Sequence, residues 1–469
     1  HLLARIHRYT IGRLRREIEP VEPRDFMRFL FDWQRVSKAT RVSGPEALAG
    51  VLSQLEGFEA PAVAWESELL PARVADYSIS WLDDLCTAGR VAWTRLRSAA
   101  VSDATVGRAA PVRATPIVLL PRRNLALWTA LTTNGSEDEP VLTSRAARVT
   151  DYLSAHGASF FDELVSGTHL LRTELEDALA ELVARGRVHC DSFAGLRALL
   201  VPQSKRPSAF NRRGRRMALF GIEDAGRWTL TRRSPDPLRE GGSQTNPQTF
   251  ALSANAIAKT KSMDEQPSAV VKRPRLRGNN GSRHNHAPNA IDPDALEHIA
   301  RTLLRRYGVV YWRLLEREAA WLPPWRDLLR VYHRLEARGE IRGGRFIAGL
   351  SGEQFALPEA IGALRQVRSR AHDGDMLSLS ALDPLNLVGT LLPGMKVPRQ
   401  LGARVLWRDG VPLATRVAGN IEIISTLATG EEHAIRRALL REPDTTAGRA
   451  TAPAVAAAGQ IPAFSPEDG

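Results

Sequence analysis

Leu335-Glu336-Ala337-Arg338-Gly339-Glu340-Ile341 decides how this chain is read. An amphipathic run leads into it, a glycine interrupts it, and a β-branched residue follows two positions later. Glycine enters the left-handed backbone region without steric cost and stops the helix; the β-branched residue then opens a strand. The same form recurs at Leu85-Cys86-Thr87-Ala88-Gly89-Arg90-Val91 and at Leu182-Val183-Ala184-Arg185-Gly186-Arg187-Val188. A helix that passes through one glycine into a short strand pair is how a winged helix enters its wing. Three copies point to a tandem array of nucleic-acid-binding modules. The competing reading is three unrelated helices that each end in glycine, a common stop. The shared leucine four residues before and the Val or Ile two after weigh against it.

Composition bounds the rest. A length of 469 residues suits three or four domains, and 43% hydrophobic residues suffice for packed cores. Cys86 and Cys190 lie far apart, with no CxxC or Cys/His neighbourhood of the kind zinc needs. Cys86 sits on the apolar side of its helix and reads as a core residue, so a reducing, cytoplasmic protein is expected. No run of 18 apolar residues occurs, so no membrane span is expected. The chain opens His1-Leu2-Leu3, without methionine or signal peptide, and is expected to be a piece of a longer polypeptide. The net charge is +12, and residues 201–290 carry 17 Lys/Arg against 6 Asp/Glu. Such a stretch binds phosphates without sequence preference or serves as a solvated linker.

Patterning along the chain implies an α+β fold: mainly helical tandem winged-helix modules followed by a small C-terminal β-barrel. Residues 1–58 read as helical, with Arg13 and Arg16 on a dense cationic face. Residues 59–133 form module one: a helix ending before Pro71, a second helix over 79–88, strands over 91–96 and 116–123, and a short helix over 125–131. Residues 141–230 form module two, with helices over 145–156, 160–165 and 171–185. The acidic face of the last, Glu174, Glu176 and Asp177, suits an interaction element better than a phosphate reader. Residues 231–290 read as a basic disordered linker. Residues 291–370 form module three. Asp292-Pro293 caps a helix reaching Gly308, 309–318 gives a second and 325–338 a third, and Gly343-Gly344 tips the wing. Arg326, Arg330, Arg334 and Arg338 recur every four residues, and Arg342 and Arg345 carry the charge onto the wing, a pattern suited to phosphate contact. Residues 371–425 read as the barrel, with Asp409-Gly410 as a hairpin turn, and 426–469 as a disordered tail.

No phosphate-binding loop of the Gly-x-x-x-x-Gly-Lys-(Ser/Thr) type occurs, nor an acidic helicase box, His-Glu-x-x-His or Gly-x-Ser-x-Gly. No cofactor or metal is expected in this chain. The histidines are scattered and read as surface or packing residues. Asp383, in Leu382-Asp383-Pro384-Leu385-Asn386-Leu387, is the candidate catalytic carboxylate. It would position water or stabilise a cationic sugar centre at a flipped nucleotide. The alternative is a turn residue accepting backbone N–H groups. Glu353-Gln354 offers further polar candidates. Trp312, Trp321 and Trp325 read as stacking wedges or as core.

These stretches resemble a known family. Leu3-Ala4-Arg5-Ile6-His7-Arg8-Tyr9-Thr10, Pro23-Arg24-Asp25-Phe26-Met27-Arg28-Phe29-Leu30, Gly57-Phe58-Glu59-Ala60-Pro61-Ala62, Leu70-Pro71-Ala72-Arg73, Trp312-Arg313-Leu314-Leu315-Glu316-Arg317-Glu318, Ser351-Gly352-Glu353-Gln354-Phe355-Ala356-Leu357-Pro358 and Asp383-Pro384-Leu385-Asn386-Leu387 look like the bacterial large helicase-related (Lhr) proteins. The likeness covers about 1–230 and 291–425. It implies the C-terminal portion of a superfamily 2 DNA helicase acting in repair, with the ATPase motor, ATP and Mg upstream of His1. Residues up to about 100 resemble the end of the helicase-associated domain, and the remainder a winged-helix extension ending in a β-barrel. That extension is similar to winged-helix DNA glycosylases and is linked to uracil excision and oligomerisation. Duplex, forked or single-stranded DNA, a homo-oligomer and a nucleoid-associated cytoplasmic location are the implied partners and place. Residues 231–290 and the tail after about 424 depart from the family pattern. The Gln-x-Gln motif of alkylpurine glycosylases is absent.

Overall fold

The computed structural model describes residues 15, 18–96, 112–131, 142–200, 221–231, 291–425 and 430–440. The three glycine motifs close in one way. The N–H of Arg90, Arg187 and Glu340 reaches back to the carbonyl of Leu85, Leu182 and Leu335 at 2.8–3.0 Å. Gly89, Gly186 and Gly339, at φ 69°, 66° and 78°, bond to Cys86, Val183 and Glu336 at 2.9 Å each. This paired closure satisfies the last carbonyls of each helix and needs a left-handed residue at the glycine. The leucine of each motif is buried, as is the Val or Ile that follows.

The motif helices are Ile79–Thr87, Arg172–Ala184 and Trp325–Ala337. After each stop a wing strand begins: Val91–Thr94, Val188–Cys190 and Arg342–Gly344. Each pairs antiparallel with a returning strand, Pro116–Pro121, Trp228–Leu230 and Gln354–Ala356 respectively. A short earlier segment adds to the far side of each return strand: Ala60–Pro61, Ser159 and Val309–Val310. Three winged-helix sheets with one strand order therefore repeat along the chain. The cap of module three is as expected, with Asp292 accepting from the N–H of Asp294 and Ala295 ahead of the helix Pro293–Tyr307.

Cores are shared between modules. Leu82 and Leu85 of module one, with Leu48 and Leu52 just ahead of it, pack in one cluster with Leu164, Leu175, Leu182 and Trp228 of module two. The Trp93 indole donates to the Ser192 carbonyl at 2.8 Å across that boundary. A second cluster joins Phe26, Phe29 and Leu30, from the helix Pro23–Trp33, to Ile299, Leu303, Tyr307, Leu335 and Phe355. Val21 also pairs beside Ile347 of the third wing. The helix Pro23–Trp33 thus packs into the body of module three.

Several expectations are corrected. The helix expected to end before Pro71 continues through Ala62–Ala64, Trp65–Leu69 and Leu70–Arg73. A π turn at Trp65–Leu69, closed by Leu70 N–H onto the Trp65 carbonyl, lets the helix absorb the proline. Residues 309–318 form a strand and a 3₁₀ turn, Trp312–Arg317, because the return strand claims the Val309–Val310 backbone. Gly343-Gly344 lies within the wing strand, and the tip falls beyond it. The C-terminal region is an open meander among the described residues, with no closed barrel. Its strands Met376–Ser380, Arg404–Arg408, Val411–Val417 and Asn420–Ile423 pair in sequence order. Asp409-Gly410 does turn the hairpin, with φ of 46° and 79°. Part of the tail is helical: Glu431–Leu440 lays Ile435 and Leu439 on Leu406, Leu413 and Ala414 of the sheet. Among the described residues no helix is long and apolar enough to cross a membrane. Arg13, Arg16, the segment 232–290 and the tail after 440 lie outside the described residues.

Candidate nucleic-acid interface and the polar junction behind it

Amphipathic spacing sets what the third motif helix shows to solvent. Leu328, Val331, Tyr332 and Leu335 are buried, so Arg326, Arg330 and Arg334 stand outward. The Arg326 and Arg330 side chains are 82% and 78% exposed, and both lie near Asp327, at 3.8 and 3.1 Å. Asp327 therefore belongs to this face, and exposure makes its pairs weak. Arg334, and Arg342 and Arg345 on the wing, are exposed and make no ion pair among the described residues. Arg338 leaves the row. Each step of four residues turns the helix by a further ~40°, and Arg338 ends against Glu297, at 3.1 Å, and Glu340. Glu336 points inward, accepting from Gly343 N–H at 3.0 Å and from Arg15, which also meets Glu353 at 3.3 Å. Arg15 itself thus sits beside the wing. Gln354 is buried and closes the wing turn by accepting from the N–H of Phe346 and Ile347, so its role is local.

Asp383 is not on a surface. Its side chain is 1% exposed, and Arg73 grips both oxygens, at 2.7 and 3.0 Å. Leu385 N–H supplies a third bond at 3.0 Å, the turn role weighed against catalysis. Arg73 also donates to Gln34 Oε1 and to the Leu69 carbonyl, and Arg317 donates to the Ala381 and Asp383 carbonyls. This carboxylate ties module one to the C-terminal sheet. Burial pulls the Arg317 guanidinium down to about 10, with Arg399 adding like charge.

Two further carboxylates flank a tight turn at the same junction, and sequence reasoning missed both. Gly57, at φ 75°, is obligatory there because a Cβ would lie 2.3 Å from the Trp128 ring. On one side Glu56, fully buried, accepts from the Trp128 indole at 2.8 Å, Asn124 at 2.8 Å and His298 at 2.7 Å, with Arg305 at 3.4 Å. Burial opposes its charge, yet these donors hold its carboxyl below the usual range. On the other side Glu59, partly buried, receives one hydrogen bond among the described residues, from the Trp321 indole at 3.0 Å. Burial pushes its carboxyl up, against the pull of Trp321, Arg95 and Arg399. Gly57-Phe58-Glu59 was visible as a family-like motif, but nothing local distinguished Glu59 from Glu56.

Comparison with known proteins points to one group. Residues 21–114 and 290–376 each match a model described as the winged-helix domain of the large helicase-related protein. Both matched segments are thus similar to winged-helix domains of the Lhr proteins. It is 28% identical over 422 residues to a Mycolicibacterium smegmatis protein named Lhr helicase/probable uracil glycosylase, spanning 86% of this chain and 24% of that one. It is 27% identical over 476 residues to the Escherichia coli Lhr helicase/uracil glycosylase, spanning 94% and 27%. The chain thus spans about a quarter of the length of these relatives, as the counterpart of a C-terminal Lhr portion. Among solved structures, the Streptomyces sahachiroi DNA glycosylase AlkZ aligns over 90% of this chain and 95% of its own, at 13% identity and a TM-score of 0.43. The matched Lhr segment 290–376 contains the arginine-bearing helix and wing, and 21–114 contains Glu56 and Glu59. Module two, at 142–231, lies outside both.

Proposed function

We propose that this chain is a DNA-holding portion of an Lhr-type helicase acting in repair, and that module three supplies the backbone contacts. The observation that carries this is the outward arginine set of the third motif helix and wing: Arg326, Arg330, Arg334, Arg342 and Arg345. Cations on a helix and the adjoining strand meet phosphates spaced along one groove edge and bind them by counterion release. ATP and Mg would act in the portion of the relatives' length that this chain does not span, and the setting would be the bacterial cytoplasm. The test is equilibrium binding to duplex and forked DNA across a salt series. The double variant Arg330→Ala/Arg334→Ala is expected to bind more weakly and to lower the log–log salt slope by about 2. An unchanged slope removes module three as the contact surface.

A second reading, uracil excision, is favoured by the names of both relatives. Asp383 suits that chemistry poorly in this arrangement, because both its oxygens are committed to Arg73. Asp383→Ala should behave as a stability variant. Breaking a buried pair costs about 3–5 kcal/mol, read as a fall in Tm. A variant that keeps wild-type Tm but loses excision would return Asp383 to the mechanism.

A further inference from the structure

Four carboxylates crowd the junction between module one, module three and the C-terminal sheet, and three of them are committed. Asp383 is held by Arg73 and Leu385 N–H, Glu318 by Arg306 and Tyr307, and Glu56 by Trp128, Asn124, His298 and Arg305. Glu59 differs. It is partly exposed, and among the described residues it receives a hydrogen bond from Trp321 alone.

Four chain segments converge on it. Glu59 leads into the strand Ala60–Pro61, and Arg95 follows the wing strand Val91–Thr94. Trp321 lies between the turn Trp312–Arg317 and the third motif helix. Arg399, exposed in the loop before Arg404–Arg408, sits with its guanidinium 5.7 Å from the Phe58 ring centre. A partly exposed carboxylate beside an indole, within the charge field of Arg95 and Arg399, has parts an extruded nucleotide needs. The Trp321 edge would shape the site above the buried Phe58, the exposed Arg399 guanidinium would meet phosphate, and the carboxylate would face the sugar.

We infer that Glu59 is the general base of a nucleotide pocket at this junction, serving hydrolysis of the bond between deoxyribose and a nucleobase in DNA. The inference rests on the excision reading above and names its residue. In the step, water gives a proton to the Glu59 carboxylate as its oxygen bonds to C1′. The C1′–N bond breaks and its electron pair leaves with the base. The departing base then takes up the proton held by Glu59, which returns the carboxylate. Water is consumed, and a free base and an abasic sugar are produced. The charged groups acting on Glu59 are Arg95, Arg399 and Glu318, and burial raises its carboxyl toward the range a general base uses.

The experiment incubates the full chain with an end-labelled oligonucleotide containing one deoxyuridine, followed by alkali, with binding and Tm measured on the same samples. Glu59→Gln is expected to cut excision by about 100-fold while affinity stays within about twofold. Glu59→Asp is expected to restore part of the rate. The wild-type rate should fall as pH drops through the raised carboxyl, since the base form is then lost. Excision by Glu59→Gln at the wild-type rate overturns the inference, as does an intact chain that binds the oligonucleotide but releases no uracil. An intact chain that does not bind DNA at all strikes instead at the DNA-holding proposal.

Discussion

Modules two and three share a backbone plan and present opposite surfaces. Counting back 13, 9 and 5 residues from the stop glycine gives Arg326, Arg330 and Arg334 in module three and Thr173, Asp177 and Glu181 in module two. In module one the same positions hold Asp76, Ser80 and Asp84. Only the third helix turns a cationic row outward. In module two the matching face is partly spent on structure: Glu181 is buried, accepting from Thr143 N–H and hydroxyl and pairing with Arg185. The nearby arginine Arg172 is paired with Asp162 and Glu223. The glycine motif therefore dictates the fold of a module and leaves its surface chemistry to the residues at these three positions. Module two, fused by its core to module one, reads as a brace rather than a second reader of phosphate.

The sharpest way to break this comparison is at the stop glycines themselves. A Cβ at Gly186 would lie 2.5 Å from the Arg95 carbonyl oxygen, whereas one at Gly339 meets nothing within 4 Å. Gly186→Ala combines left-handed strain with a backbone clash between modules one and two, and should cost on the order of 3 kcal/mol in denaturant unfolding. If both glycines prove equally tolerant, module two is not wedged against module one as described.

A somewhat smaller effect is expected from pH. Burial pulls His189, on the second wing strand, down to about 4, with Arg122 adding like charge. Its proton is bound more readily in the unfolded chain, so stability falls as pH drops from about 6.5 to about 4, by roughly 2–3 kcal/mol. Module three's wing has Arg342 at the matching position and should lack this transition. Hydrogen exchange of the two wings across that range would sharpen the contrast, and His189→Gln should flatten it. Gly339→Ala, strained but unobstructed, should cost only about 1 kcal/mol by thermal melting. Smallest of all, Asp177→Asn on module two should leave DNA affinity within about 0.5 kcal/mol of wild type. A large gain in affinity would show that module two does face nucleic acid and is merely repelled.

Legibility followed range of interaction. The glycine stops, the Asp292-Pro293 cap and the Asp409-Gly410 turn are local backbone preferences, and each stands as read. Residues 309–318 were misread because Gln354–Ala356, more than 40 residues away, recruits Val309–Val310 into a sheet. The Glu431–Leu440 helix escaped notice because its apolar side, Ile435 and Leu439, is too narrow to register without the sheet it covers. The arginine row was legible from spacing, but the departure of Arg338 toward Glu297 depends on a helix 41 residues earlier.

By itself the sequence settled the repeated helix-to-wing unit and its cationic third copy, since these follow from neighbouring residues and their spacing, and its motifs carried the likeness to the Lhr proteins. Only the tertiary structure decided which acids are spent and which remain. Asp383 met Arg73, 310 positions away, and lost its freedom; Glu59, three residues from a saturated twin, kept an open side. A carboxylate's chemistry depends on the donors and solvent around it, and distant chain segments supply those.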